Sequence, residues 1–233
     1  MAISDWEEHF KSIYDTEPDT YHRMVSAEDA NGELAARLHD LSRGATRIVD
    51  IGAGTGRLTA PLCVAGVEVH AVDIAPAMLE VARTKLATCA GSWTTSVGDA
   101  RRLPIADDWA DAAIAGWVFG HLTEWYSDTW EEALGQAIAE MDRVVRPGGI
   151  EVVVDTLGTA ATAPAPPTPA LGRYHDALET MGFARTVLAT DYEFSSINES
   201  IELLDWFFDL GDWARQHNNP VVPEFTGWWQ RRR

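Results

Sequence analysis

The sequence predicts an α/β fold, a mostly parallel sheet with helices on both faces. Three observations carry this. Short apolar runs alternate with amphipathic stretches along the chain. The run "VVV" at 152–154 is apolar at consecutive positions, as suits a strand buried on both faces. The stretch "VDIGAGTG" at 49–56 sets Gly52, Gly54 and Gly56 between an apolar run and a helical one. That is the layout of a chain turning sharply from strand into helix around a ligand.

The elements follow in order. The acidic, amphipathic N-terminus "MAISDWEEHFKS" lacks the basic-then-apolar pattern of a signal peptide. Residues 1–44 are expected to form a helical lid or cap on a single core domain, 45–233. Strands are expected at 47–53, 67–74, 93–99 and 110–118. A helix in "GRLTAPLCVAG" is ended by Gly66, and another opens at Pro76 and ends at Gly91. Trp130, Leu134, Ile138, Met141 and Val145 recur every three or four residues and predict a long helix over 128–145. "RPGG" at 146–149 breaks it and turns the chain into a strand at 150–156.

The Pro-, Ala- and Thr-rich stretch 158–170 reads as an extended loop, either a surface connector or a wall of a pocket. A helix near 171–181 and a strand within 183–194 come next. Ile197, Ile201, Leu204 and Phe208 mark a further amphipathic helix. A last strand lies within "VVPEFTGWWQ", and the three closing arginines, 231–233, read as a solvated tail.

Composition narrows the function. With 18 basic and 36 acidic residues the net charge is −18, opposite to the basic stripe that nucleic-acid enzymes use. Nucleic acid and acidic membrane surfaces are therefore unlikely partners. No apolar run reaches the roughly 18 residues of a membrane span. Cys63 and Cys89 fall in expected helices with no metal-ligand spacing, and read as reduced thiols of a cytoplasmic protein. No metal site is expected.

The glycine loop discriminates among ligands. A P-loop requires glycine, lysine and serine or threonine at 57–59, where Arg57, Leu58 and Thr59 stand. A dinucleotide fingerprint requires its third glycine at 57, but here it comes at Gly56. Asp50 beside the loop suits a cation better than a pyrophosphate. Asp73 ends the second strand, where a carboxylate can accept ribose hydroxyls. The competing role for Asp73 is to cap the helix that follows.

"VDIGAGTG" resembles motif I of the class I S-adenosylmethionine-dependent methyltransferases of small-molecule type. "VDI" at 72–74, "GDARRLPIADDWADAAIAG" at 98–116 and "EMDRVVRPGGIEVVV" at 140–154 are similar to later motifs of that family, in order and spacing. The resemblance implies a Rossmann-like, seven-stranded sheet of order 3-2-1-4-5-7-6 with the last strand antiparallel. It implies S-adenosyl-L-methionine as cofactor, its methionine end held by Asp50, Gly52, Ala53, Gly54 and Gly56. Asp73 and Ile74 would meet the ribose and Asp99 and Ala100 the adenine, with Met78, Trp117 and Tyr21 as further contacts.

The acceptor should sit after the fourth strand, in "GWVFGHLTEWYSDTW". His121 is the candidate general base there, or a pocket wall. Trp117 and Phe119 are either contacts or packing. Trp125, Tyr126 and Trp130 are candidates for an aromatic pocket favouring a flat or cationic acceptor. Tyr14, Tyr21 and His22 are candidate lid contacts. The reading is methyl transfer to a small-molecule acceptor. Its rivals are a non-catalytic or non-methylating protein that binds the same cofactor, and a nicotinamide oxidoreductase. The acceptor, the atom methylated and the oligomeric state are not legible.

Overall fold

The computed structural model describes residues 3–233. Three helices come first: α1 (Ile3–Thr16), α2 (Pro18–Val25) and α3 (Glu33–Arg43). The core then alternates β1 (Arg47–Ile51), α4 (Thr59–Leu62), β2 (Glu68–Asp73), α5 (Pro76–Leu86), β3 (Ser92–Val97) and β4 (Ala110–Gly116). After a 3-10 turn at Phe119–His121 come α6 (Leu122–Trp125), α7 (Trp130–Val144), β5 (Val145–Thr159) and α8 (Pro169–Thr180). The chain ends with β6 (Ala184–Ala189), β7 (Tyr192–Glu193), α9 (Ile197–Phe208), α10 (Gly211–His217), β8 (Val221–Val222) and β9 (Glu224–Arg232).

Seven strands form one sheet in the order β3-β2-β1-β4-β5-β9-β6. The first five are parallel, and β9 runs antiparallel to both β5 and β6. With β9 as the seventh strand of this sheet, the order is the expected one. The chain leaves β1 toward β2 on one side and returns through β4 on the other. That reversal opens a crevice at the C-terminal ends of β1 and β4, and the glycine loop lies there.

Strand alternation divides the core. Val49, Ile51, Ala113, Ala115, Val153 and Trp229 face one way and pack with α7 and α8. Ile48, Ala112, Ile114, Val152, Val154 and Trp228 face the other and pack with α3 and α4. Neighbouring tryptophans on β9 thus anchor opposite faces. A third cluster joins Met24 of α2 to Tyr192, Leu203, Leu204 and Val222, which ties the N-terminal helices to the α9 region.

Three expectations need correction. The closing arginines are not a solvated tail. Arg231 and Arg232 belong to β9, and Arg231 pairs with Asp142 and Glu151, each at 2.6 Å. Arg231 also lies 4.4 Å over the Phe183 ring, so its stem is packed while its head is paired. Helix α7 ends at Val144 and β5 starts at Val145 rather than at 150; "RPGG" bulges out of its ladder, since Val145 pairs with Ala110 and Ile150 with Ala112. The first core helix is one turn long, ending at Leu62 rather than Gly66. Cys63 therefore lies just beyond α4, and Cys89 beyond α5.

Candidate functional site

The crevice contains a cavity of about 100 Å³. Its wall includes Gly52 and Gly54 from the loop, Asp73 and Ile74 after β2, and Asp99, Ala100 and Arg101 after β3. Trp117, Val118 and His121 come from the end of β4, Leu122, Trp125 and Tyr126 from α6 and its exit, and Tyr14 and Tyr21 from α1 and α2.

The loop glycines have separate causes. All three have positive φ, at +69° for Gly52, +53° for Gly54 and +86° for Gly56. A Cβ on Gly52 would lie 2.0 Å from Val118 Cγ2, so only glycine fits between loop and wall. Gly56 instead has room for a Cβ, 3.5 Å from Ala82, and it is the φ of +86° that favours glycine there. Gly52→Ala combines a disfavoured backbone with that overlap. It is expected to destabilise the fold by about 3 kcal/mol. Urea unfolding checks this, and a loss under 1 kcal/mol would refute it.

Two carboxylates line the cavity. Asp73 Oδ2 accepts from the Gly54 backbone N–H at 2.7 Å, and Oδ1 from that of Ala75 at 2.8 Å. The residue thus ties the loop to the chain entering α5 and still faces the cavity; it does not cap α5, whose N-cap is Ala75 with no side-chain hydrogen bond. Asp99 accepts from Arg101 Nε at 3.0 Å and Nη2 at 2.6 Å. Those hydrogen bonds hold its carboxyl below the usual range despite partial burial. Arg101 lies 4.4 Å over the Tyr126 ring. Sequence reasoning passed over Arg101, although "DARR" sets arginine directly behind the acid.

Asp50, Ala53 and Gly56 do not line the cavity. Asp50 is 1% exposed and lies behind the loop, accepting from Thr59 Oγ1 at 2.5 Å. Its Oδ1 has no partner, and burial pushes its carboxyl up to about 7. A carboxyl half-protonated near neutrality and screened by the loop is a weak electrostatic filter. Asp50 therefore does not meet a ligand in the cavity, contrary to the expectation that it faces a cation there.

At the opposite wall, His121 Nε2 is 3.0 Å from the Tyr14 hydroxyl. The imidazole stacks on Trp125 at 5.1 Å and meets the Phe10 ring edge at 5.4 Å. Burial lowers its pKa to about 4, so the ring is neutral near pH 7. Burial also raises Tyr14 well above an ordinary phenol. Tyr14, Tyr21, Phe10 and Phe207 form a chain of ring contacts that joins α1, α2 and α9 above the cavity.

Other sequence candidates lie elsewhere. Phe119 is 1% exposed and belongs to the core. Trp130 lines a separate groove between α7 and α8. His22 meets the glycine loop from outside, with Nδ1 3.0 Å from Thr55 Oγ1. The 158–170 stretch supplies no cavity residue; its ends belong to β5 and α8, and only 162–168 between them form an exposed connector. Trp117 does line the cavity, held at φ +53° with the Arg57 guanidinium 3.7 Å over its ring. Arg57 in turn pairs with buried Glu28 at 2.6 Å. Neither residue carries a local sequence signal, because the pair forms only when the α2–α3 connection meets the loop.

Residues 49–153 match a family described as "Methyltransferase domain". The match covers the glycine loop, both carboxylates and the wall after β4. Over that segment the chain is similar to the class I S-adenosylmethionine-dependent methyltransferases.

Among curated methyltransferases, it is 36% identical over 146 residues to malonyl-[acyl-carrier protein] O-methyltransferase of Methylococcus capsulatus, covering 61% of this chain and 49% of that one. It is 31% identical over 177 residues to demethylmenaquinone methyltransferase of Clavibacter sepedonicus, covering 72% and 63%. The chain thus spans about half to under two thirds of these relatives' length. The crystal structure of YcgJ from Bacillus subtilis shares the fold at a TM-score of 0.56 and 18% identity, over 85% of this chain and 97% of that one.

Methyltransferases of this class bind S-adenosylmethionine. The cavity fits that group on its own terms. A loop without side chains faces Asp73, whose carboxylate keeps acceptor capacity beyond its two backbone bonds. Ile74, 56% exposed at the cavity edge, offers an apolar face. Among the described residues no group of three His, Cys, Asp or Glu side chains could hold a metal ion. No described helix is long and apolar enough to cross a membrane.

Proposed function

We propose that this protein transfers a methyl group from S-adenosylmethionine to a small-molecule acceptor. The observation that carries the reading is one cavity lined by Gly52, Gly54, Asp73 and Asp99 together with the Tyr14–His121 pair. Bound S-adenosylmethionine supplies an electrophilic methyl group. Asp73 is assigned to the ribose hydroxyls, Asp99 and Ala100 to the adenine edge, and the Gly52–Gly54 backbone to the methionine end. Ile74, Met78, Trp117 and Tyr21 complete that contact set. Helices α1 and α2 serve as the lid, bringing Tyr14 and Tyr21 over the cavity and excluding water.

The chain's main task is alignment, which can supply several kcal/mol of the barrier reduction. A proton leaving the acceptor passes to the Tyr14–His121 pair, which is uncharged and so has an open acceptor site. Free thiols at Cys63 and Cys89 support a reducing, cytoplasmic setting. The net charge of −18 supports an acceptor that is not a nucleic acid.

His121→Ala is the test. Turnover is expected to fall about 100-fold, the usual scale of one general base. Donor affinity by calorimetry should stay within about threefold. Because His121 stays neutral down to about pH 4, the wild-type rate should not drop between pH 8 and pH 5. A rate that halves near pH 6.5, or an unchanged rate in His121→Ala, would remove His121 as the base.

A further inference from the structure

The acceptor end of the cavity restricts what can be methylated. Six rings line the cavity: Tyr14, Tyr21, Trp117, His121, Trp125 and Tyr126. Such walls favour a flat partner that stacks or meets them edge-on. Among the described residues, Arg101 is the one cation that lines the cavity, and two of its nitrogens are engaged by Asp99. Lys11 lies over the Trp125 ring but is not a lining residue. A carboxylate or phosphate acceptor therefore meets no unpaired cation in the wall, and the overall negative charge opposes its approach.

The lining carboxylates are Asp73 and Asp99, held by the loop and by Arg101. A cationic acceptor would stand beside the donor's sulfonium, and the one lining carboxylate without a cation partner, Asp73, is already assigned to the ribose. An ammonium also has no lone pair until its proton has left, so its deprotonation must precede the transfer. A hydroxyl keeps lone pairs while protonated and becomes strongly acidic as its oxygen is alkylated.

We infer that the acceptor is an uncharged planar ring bearing a phenolic hydroxyl, methylated on oxygen, with Tyr14 relaying its proton to His121. This rests on the donor site proposed above. In the step, the phenol oxygen bonds to the methyl carbon while the carbon–sulfur bond breaks and its electron pair stays on sulfur. The phenol proton moves to Tyr14 Oη as the Tyr14 proton moves to His121 Nε2, across the 3.0 Å contact. The products are a methyl ether, a neutral thioether and an imidazolium that releases its proton to solvent.

Three ring-matched probes test this by calorimetry on the full chain saturated with S-adenosylhomocysteine: 2-naphthol, 2-naphthoate and 2-naphthylmethylammonium. The naphthol should bind at least tenfold more tightly than either charged ring. With S-adenosylmethionine it should give the methyl ether. Tyr14→Phe should slow that reaction about 100-fold while leaving naphthol affinity within threefold. Equal or tighter binding of a charged ring, or no binding of the naphthol, overturns the inference but leaves the donor site standing. Failure of S-adenosylmethionine itself to bind in a separate titration removes the donor reading and this inference with it.

Discussion

Asp73→Ala is expected to weaken S-adenosylmethionine binding at least 100-fold. The carboxylate has two jobs in the structure. It holds the Gly54 and Ala75 backbone N–H groups at 2.7 and 2.8 Å, which fixes the loop against the start of α5. It also faces the cavity with acceptor capacity left over. Hydrogen bonds to a charged group contribute about 1.5–3 kcal/mol each. Losing ribose contacts of that kind, and loosening the loop as well, costs about 3 kcal/mol or more, hence the factor.

Asp73→Asn should also be impaired. An amide nitrogen would face one of the two backbone donors, leaving donor against donor. Calorimetry with S-adenosylmethionine measures the loss, and circular dichroism confirms that each variant is folded. Affinity of a folded Asp73→Ala variant within threefold of wild type would end the ribose assignment.

The second large effect is on stability above neutral pH. Burial pushes the carboxyls of Asp50, Asp155 and Glu151 up to about 7, and that of Glu224 to about 8. In the unfolded chain these groups titrate near about 4. The folded state therefore binds the protons more tightly. Stability from these groups is fully present below about pH 4 and is lost as pH rises through 7 to 8.

His121 and His175 act in the opposite sense. Burial lowers both to about 4, so they favour folding above about 6.5 and lose that contribution as pH falls toward 4. Above pH 6.5 the histidines are neutral in both states, and the raised carboxyls dominate. Unfolding free energy should thus fall between pH 6.5 and 8.5, by about 1.4 kcal/mol per pH unit for each proton difference. Asp50→Asn keeps an acceptor for Thr59 and removes one ionisation, so it should gain stability over wild type at pH 8.5. Urea titrations at the two pH values decide it. A wild type that is equally stable or more stable at pH 8.5 would contradict the assignment.

These effects differ in how far the sequence anticipated them. Asp73 stood at a strand end at a fixed distance from a glycine loop, a local pattern. The ionisation of Asp50 was misread, because the sequence shows a carboxylate beside a loop but not which side of the loop it occupies. Burial without a partner for Oδ1 reverses its expected charge behaviour. The closing arginines were misread for the same kind of reason. Their partners Asp142, Glu151 and Asp108 are scores of residues away in the chain.

By itself, the sequence determined the α/β class, the strand–glycine–helix junction, most strand and helix positions and the family resemblance. Periodicity, turn residues and backbone freedom act over a few neighbouring residues, so they are legible in a linear pattern. Only the tertiary structure decided the rest. It set Tyr14 against His121 across 107 positions of chain, paired Arg57 with Glu28 beneath Trp117, locked Arg101 onto Asp99 and withdrew Asp50 from the cavity. Contact and desolvation depend on which distant surfaces meet, and in this protein they set the ionisation of Asp50 and His121.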